Sequence, residues 1–332
     1  MRALVTIAVD AMGGDHGPVM TTPASLALVK KLPNVRVVLV GDEAKIRAEI
    51  PSDATNLDRI EIIHASQTVG MDEAPAFALR TKKDSSIRLA VQLVKDRRAD
   101  ACVSAGNTGA LMAISRFVLK TCEGIDRPAI MSALPTPLGC TYMLDLGANV
   151  DCHSSQLHQF ALMGHVLFKE LQGVASPRVA LLNVGEEEAK GNDQVKQANE
   201  LLQSDETLNY LGYVEGTDIL SGKIDVIVCD GFVGNVALKS IEGVAGFFSK
   251  QLTLAFKQTW FTRMIGLLSL PVLTSVKRKF DPSGYNGASL VGLKGVVVKS
   301  HGNAKVKEFI RAMELAISEA EKDIPALIEK AL

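Results

Sequence analysis

Glycine, carboxylate and imidazole groups come together near the start of the chain, directly after an apolar run. The run 4–9 ends at Asp10, and the segment 13–17 then reads Gly-Gly-Asp-His-Gly before Pro18. Glycines let the backbone approach a ligand closely, and the first N–H groups of a helix attract anions. We interpret this segment as an anion-binding bend between a buried strand and a helix.

Polar, glycine-containing segments follow five later strand-like runs, at 104–109, 145–151, 185–192, 230–235 and 299–302. In open α/β sheets, ligands bind beyond the carboxyl ends of the strands. We therefore expect all six segments to border one long shared cleft. Two histidines, His16 and His301, lie among glycines in these segments and are candidates for chemistry.

Several common site types lack support in the sequence. The chain contains no G-x-G-x-x-G, P-loop or G-x-S-x-G motif, which argues against a nucleotide site or a serine nucleophile. His158 and His165 share a helix face but have no acid at helical spacing, so we expect no metal. Five cysteines without C-x-x-C spacing indicate a reducing, cytoplasmic setting. The net charge of −1 gives no sign of nucleic-acid binding.

Strand-like runs alternate with helical segments along the whole chain. This alternation predicts one α/β domain over 1–332, with a mostly parallel sheet covered by helices on both faces. The runs 129–134 and 141–146 flank a Pro- and Gly-containing turn and predict an antiparallel hairpin. The composition, 47% hydrophobic over 332 residues, suits a large core.

The segment 243–280 contains no Asp or Glu and holds the only tryptophan. The positions 248, 252, 256, 260 and 264 are apolar at i, i+4 spacing and predict one helix stripe. We predict a helical hairpin appendage over 240–282. Three interpretations compete: packing on the core or a second subunit, a membrane-surface anchor, or a docking face for an acidic protein. We favour a dimer-forming hairpin whose tip touches the membrane. The residues expected to contact the membrane or an acidic carrier protein are Lys257, Trp260, Arg263, Leu267, Leu268, Leu270, Lys277, Arg278 and Lys279.

Several blocks, in order, resemble the PlsX family, the acyl-acyl carrier protein:phosphate acyltransferases. They begin with 9–18 (VDAMGGDHGP) and continue with 80–86, 103–110, 144–149, 183–187, 190–192, 230–235 and 296–302. The resemblance implies a Rossmann-like three-layer α/β/α fold, like that of phosphotransacetylases and of isocitrate and isopropylmalate dehydrogenases. It implies a cytoplasmic homodimer, peripherally associated with the membrane, without metal or other cofactor.

The same resemblance implies acyl transfer from acyl carrier protein to orthophosphate. The acyl phosphate would then feed a membrane glycerol-3-phosphate acyltransferase in phospholipid synthesis. The expected phosphate- and thioester-binding residues are Gly13, Gly14, Asp15, His16, Lys82, Ser104, Gly106, Asn107, Thr108, Asp145, Asn149 and Lys299.

Two further blocks are similar to phosphotransacetylase motifs. Residues 234–239 resemble their G-N-T-x-x-K block, and 290–302 resemble their L-x-G-L…S-R-G block. By this likeness the catalytic candidates are Asn235, Lys239, Ser300 and His301. His301 stands where those enzymes have Arg, and Lys307 stands where they have an acid, so no general base carries over.

Two alternatives from other classes remain open at the level of sequence. One is a metal- and NAD-dependent dehydrogenase of the isopropylmalate type, which would need a set of acids and a nicotinamide site. The other is a non-catalytic scaffold that binds acyl carrier protein. An assay for acyl phosphate separates all three.

Overall fold

The computed structural model describes residues 4–274 and 286–332, so Lys277, Arg278 and Lys279 lie outside the described residues. The strands are β1 (Val5–Asp10), β2 (Val35–Gly41), β3 (Ile60–His64), β4 (Ala101–Ser104), β5 (Ala129–Thr136), β6 (Gly139–Leu144), β7 (Arg178–Leu182), β8 (Asn209–Val214), β9 (Val226–Val228), β10 (Ala288–Val291) and β11 (Val296–Lys299). The helices are α1 (Pro18–Lys31), α2 (Glu43–Ala48), α3 (Pro75–Thr81), α4 (Ser86–Lys95), α5 (Thr108–Leu119), α6 (Ser154–Gln172), α7 (Asp193–Gln203), α8 (Gly231–Lys257), α9 (Trp260–Leu268), α10 (Val306–Glu321) and α11 (Ile324–Ala331).

The described strands form one sheet in the order β3-β2-β1-β4-β11-β10-β5-β6-β9-β7-β8. Parallel pairing dominates, and only the pairs β11–β10, β10–β5 and β5–β6 are antiparallel. The predicted α/β class, the mostly parallel sheet and the antiparallel hairpin, formed by β5 and β6, are therefore confirmed. The strands β8 and β10 were not predicted.

The three antiparallel pairs divide the sheet into two parallel blocks that run in opposite directions. One block contains β1, β2, β3, β4 and β11, and the other contains β6, β7, β8 and β9. The carboxyl ends of the two blocks thus point opposite ways along the sheet. The six polar segments follow strands of both blocks, so they do not all lie along one edge of the sheet.

Helices cover both faces because the parallel strands are buried on both sides. On one face, α1 and α10 pack on β1 and β4, with Leu28, Val103 and Phe309 in one cluster. On the other face, α4 and α5 pack on alternate residues of the same strands, including Ala8 and Cys102. Strand ends are thereby held between two helical layers, which fixes the positions of the side chains that follow them.

The segment predicted as an appendage contains the distal half of α8 and all of α9. Side chains in 243–274 are exposed apart from five half-buried positions. Trp260 is 76% exposed and Leu268 is 77% exposed. The prediction of one helix stripe over 248–264 is wrong, because α8 ends at Lys257 and α9 begins at Trp260. Thr259 caps α9 by accepting a hydrogen bond from the N–H of Thr262 at 3.1 Å. Beyond α9, residues 270–274 are again helical.

Candidate active site

Three polar residues end three adjacent strands of the first block in one row. Asp10 pairs in register with Ser104, and Ser104 pairs with Lys299. Residues paired in register share a face of the sheet, and side chains alternate along a strand. All three therefore lie on the face covered by α4 and α5, where Cys102, two residues before Ser104, is packed. We call Asp10, Ser104 and Lys299 the polar row.

The carboxylate of Asp10 is buried and organises the loop that follows β4. Its Oδ2 accepts a 2.7 Å hydrogen bond from the Ser104 hydroxyl, which in turn accepts one from the N–H of Gly106 at 3.0 Å. Its Oδ1 has no hydrogen-bond partner within the described chain. Burial raises the pKa of Asp10, while Ser104, Ser86 and Lys299 act in the opposite direction.

Two glycines of the predicted bend are required by close backbone contacts. A Cβ at Gly13 would lie 2.6 Å from Oδ2 of Asp10 and 2.7 Å from the nitrogen of Gly106. Gly14 has a φ of 84°, and a Cβ there would lie 2.8 Å from the carbonyl oxygen of Gly302. These glycines let the bend pack closely against both other loops of the polar row. The close contacts are with protein atoms, and anion binding by the bend stays a prediction.

Lys299 places a buried ammonium group at the end of the row. Its Nζ donates to the carbonyl of Ala105 at 3.2 Å and to that of Ser300. An ammonium has three donors, so one remains for a ligand. Burial lowers the pKa of Lys299 to about 8, with a smaller lowering from Lys239, while Asp10 and Asp15 raise it.

The loop before α3 is fastened to the polar row by Asn107. Its amide donates to the carbonyls of Gly70, Met71 and Glu73 at 3.2, 2.8 and 2.8 Å, and its Oδ1 caps α5. The amide donors predicted for a ligand are thus used to position this loop.

Lys82 lies beside that loop and pairs with Glu73 at 2.7 Å. The hydrogen bond from Lys82 lowers the pKa of the Glu73 carboxyl. Lys82 also donates to the carbonyl of Thr68 at 2.6 Å.

The first turn of α5 presents backbone donors next to the row. Thr108 and Gly109 are exposed, and the cap from Asn107 satisfies the N–H of Ala110. The open N–H groups of a 12-residue helix start are suited to an anion, and Lys299 supplies a charge close by.

Ser300 and His301 follow Lys299 but differ in accessibility. Ser300 is fully buried, and its hydroxyl accepts a 2.9 Å hydrogen bond from the amide of Asn286. His301 is exposed, and its Nδ1 accepts from the N–H of Asn303 at 3.5 Å. When Nδ1 accepts this hydrogen bond, Nε2 carries the ring proton and can donate it to solvent or a ligand.

Asp145 and Asn149 belong to the second block. Asp145 is buried, and its carboxylate accepts from the N–H groups of Ile130, Gly147, Ala148 and Asn149 and from the Asn149 amide. Burial raises the pKa of Asp145. These bonds shape the loop against the start of α8, because the Asn149 carbonyl accepts from the N–H of Gly231 at 2.7 Å.

The same helix carries the last two catalytic candidates. Asn235 is exposed and lies beside Gly147. Lys239, one turn further on, pairs with Glu242 at 2.8 Å and lies close enough to Lys299 to lower its pKa.

The structure thus brings the predicted residues together in two groups. Around the polar row lie Gly13, Gly14, Asp15, His16, Lys82, Ser104, Gly106, Asn107, Thr108, Lys299, Ser300 and His301. Around the start of α8 lie Asp145, Asn149, Asn235 and Lys239. Between the two groups the described chain contains no hydrogen bond or ion pair, and Lys239 is the member whose charge reaches the row.

Sequence reasoning missed Asp10, Glu73 and Asn286 as site residues. Asp10 was visible as the polar end of an apolar run, and only the strand order shows that it faces Ser104 and Lys299. Asn286 is 14 residues from Ser300 in the sequence and belongs to no motif, so no local pattern indicates the hydrogen bond between them.

A family described as Fatty acid synthesis protein matches residues 5–327 of the chain. The chain belongs to this family. A phosphate acyltransferase of Alkalilimnicola ehrlichii is 55% identical over 333 residues, covering 100% of this chain and 97% of that protein. A phosphate acyltransferase of Nitrosococcus oceani is 56% identical over 322 residues, covering 97% and 94%. The chain is therefore an acyltransferase enzyme that transfers acyl groups to phosphate in fatty acid and phospholipid synthesis, and its resemblance to the PlsX family is confirmed.

Solved structures confirm the fold predicted for this family member. A phosphotransacetylase from Streptococcus pyogenes has a TM-score of 0.65 at 16% identity, covering 96% of this chain and 94% of that one. The EutD phosphotransacetylase from Staphylococcus aureus has a TM-score of 0.63 at 16% identity, covering 96% of each chain. At this identity the likeness concerns the fold alone.

Two kinds of feature are absent from the described ranges. Within 4–274 and 286–332, no helix combines the length and apolar character needed to cross a bilayer. The same ranges contain no group of three or more His, Cys, Asp or Glu side chains arranged to hold a metal ion.

Proposed function

We propose that the polar row binds orthophosphate and directs it onto the thioester of an acyl-acyl carrier protein. The observation that carries this proposal is the buried Lys299 ammonium beside the open start of α5, where fixed donors and a positive charge converge. Such preorganised donors stabilise negative charge far better inside a protein than in water.

In the proposed reaction, a phosphate oxygen attacks the thioester carbonyl carbon. A C–O bond forms, the C–S bond breaks, and the carrier protein leaves as its thiolate. A thiol has an ordinary pKa of about 8.5, so it departs without a strong acid. The main tasks of the enzyme are then to hold the two reactants together and to stabilise the oxyanion of the tetrahedral intermediate.

We assign these tasks to separate groups. Lys299 holds the phosphate through its remaining donor, and the N–H groups of Thr108 and Gly109 bind the oxyanion. The Nε2–H of His301 donates to the leaving sulfur. Asn235 and Lys239 complete the cleft from α8, where the charge of Lys239 already reaches Lys299.

The exposed segment 243–274 supports a peripheral location at the cytoplasmic face of a membrane. It offers apolar side chains on α8 and α9 and contains cations but no acids, as suits an anionic lipid surface. In this proposal a second copy of the chain packs along α8, and the tip containing Leu268 and Leu270 contacts lipid. A membrane glycerol-3-phosphate acyltransferase then consumes the acyl phosphate.

The deciding experiment incubates the purified protein with acyl-acyl carrier protein and ³²P-labelled orthophosphate. We expect labelled acyl phosphate and free carrier protein in equal amounts. Hydrolysis of the thioester without labelled product, or carrier binding without turnover, would contradict the proposed reaction.

A further inference from the structure

The helices next to the candidate site carry several cations and no acidic residues. α3, α4 and α5 contain no Asp or Glu. Among the cations on these helices, or directly after them, are Arg80, Lys83, Arg88, Arg116 and Lys120. Within the described ranges none of these five forms an ion pair with a carboxylate, whereas Lys82 after α3 pairs with Glu73 and Arg98 after α4 pairs with Glu61. These five positive charges are therefore not balanced by a paired carboxylate within the described chain.

The centre of this surface is an exposed aromatic ring held between two cations. Phe117 is 53% exposed, the Arg88 guanidinium lies 5.4 Å from its ring centroid, and the Lys120 ammonium lies 5.0 Å away. Arg88 also donates to the carbonyl of Leu79 at 3.1 Å, which ties α4 to α3. We call Arg88, Phe117 and Lys120 the Phe117 cluster. Its contacts keep an apolar ring and two charges in a fixed arrangement at the surface.

The Phe117 cluster is joined to the candidate site by one helix. α5 begins at Thr108 beside the polar row and reaches Phe117 after nine residues, a rise of about 14 Å. Lys82, directly after α3, is fixed to the loop that Asn107 holds. A macromolecule seated on the cluster is thus within reach of the site through an extended prosthetic arm.

We propose that the acidic carrier protein docks on the Phe117 cluster and the adjoining cations of α3, and delivers its thioester along α5 to the polar row. This inference rests on the proposed function, which makes a carrier protein the acyl donor. Charges spread over three helices around an exposed ring form an area rather than a pocket, which suits a protein surface better than a small anion. Aromatic and Arg side chains commonly dominate such interfaces.

The appendage is a weaker candidate for the same partner. It also lacks acids, but its exposed surface carries many large apolar side chains, among them Phe247, Phe248 and Leu268. So many exposed apolar side chains are better suited to contact with lipid than with an acidic protein. The two acid-free surfaces therefore have different partners in this proposal.

The test compares two acyl donors in the double variant R88Q/K120Q, in which glutamine keeps a donor for the Leu79 carbonyl. For acyl-acyl carrier protein we expect kcat/KM to fall at least tenfold with kcat little changed, together with a weaker dependence on salt. For acyl-pantetheine, which lacks the carrier protein, we expect no change. The control K30Q removes an exposed cation on α1, which packs on the opposite face of the sheet, and is expected to leave both donors unaffected.

Equal losses with both donors, or no loss with acyl-acyl carrier protein, would overturn the docking proposal. A separate titration of the protein with holo-carrier protein measures docking without turnover, and the double variant is expected to weaken it at least tenfold. If the wild-type protein forms no acyl phosphate from either donor, the proposed function fails. The titration then still decides whether the cluster binds the carrier.

Discussion

Lys299 carries its charge in a buried position, and burial is the main cause that lowers its pKa. Because its pKa is about 8, phosphate binding through the ammonium is expected to weaken as the pH rises through that value. Asp10 and Asp15 raise this pKa, and Lys239 lowers it. These three groups, from three different segments, thus act on one ammonium.

Asp10→Asn removes the nearest of these acids while keeping a side chain of the same shape. Without it the pKa of Lys299 is expected to fall, so the alkaline limb of the profile of kcat/KM for phosphate moves to lower pH. The pH profile of the variant, with its melting temperature as a check on folding, measures this. An unmoved alkaline limb in a folded variant would show that Lys299 does not govern it.

His301→Ala and Asn235→Ala probe the two groups of candidate residues separately. We expect each to lower kcat at least tenfold, about 1.4 kcal/mol of activation free energy, with the fold retained. His301 lies beside the polar row, whereas Asn235 lies beside Gly147 at the start of α8. A wild-type rate in the Asn235 variant alone would place the reaction at the polar row only, and wild-type rates in both would reject the assignment.

The buried cysteines near the site are expected to be chemically inert. Burial raises the pKa of Cys102 and of Cys229, so neither forms the thiolate that a covalent acyl intermediate needs. Cys102→Ala and Cys229→Ala should each retain turnover, measured as acyl phosphate formed per minute. Abolished turnover in a folded variant would indicate a covalent route instead of direct attack.

At the scale of elements, α10 carries a buried acid against the sheet. Glu319 accepts a hydrogen bond from Ser289 on β10, and burial raises its pKa to about 8. In the unfolded chain the group ionises near its ordinary value of 4.5, so the folded state holds its proton more tightly. The contribution of Glu319 to the free energy of unfolding is therefore fully present below pH 4.5 and is lost as the pH rises towards about 8.

Glu319→Gln removes this ionisation. We expect the melting temperature of the variant, relative to that of wild type, to increase steadily between pH 5 and pH 8. The underlying change in the free energy of unfolding is at most about 1.4 kcal/mol per pH unit. Glu321→Gln, an exposed position on the same helix, is the matched control and should show no such trend. A constant difference across this range would mean that Glu319 is not protonated in the folded protein.

The exposed tip after α8 gives a second prediction for an element. Leu268→Glu with Leu270→Glu places two charges on side chains that are 77% and 50% exposed, so folding should be unaffected. We expect the double variant to lose binding to anionic lipid vesicles in a flotation assay. Leu201→Glu, at an exposed leucine of α7, should bind as wild type does. Retained flotation of the double variant would exclude the tip as the anchor.

For the whole molecule, local patterns predicted the elements better than their arrangement. Long apolar runs ending in polar residues identified β1, β2 and β4, because parallel strands buried on both faces leave that pattern. The short β10 has no such signal. Its two antiparallel pairings leave β5 in the direction of β11, and the β5–β6 hairpin then reverses the second block of the sheet. The polar row depends on strand order and register, which no local pattern contains.

α8 is one uninterrupted helix that begins in the core and ends in the exposed appendage. From Lys239, whose charge reaches Lys299, to Lys257 at its end, it rises by about 27 Å. When the tip contacts a lipid surface, the length of α8 fixes the distance between the bilayer and the proposed phosphate site. The acyl phosphate would then have to cross that gap with its hydrocarbon tail shielded from water. Shortening or lengthening α8 by whole turns would change the length of that crossing without touching either end.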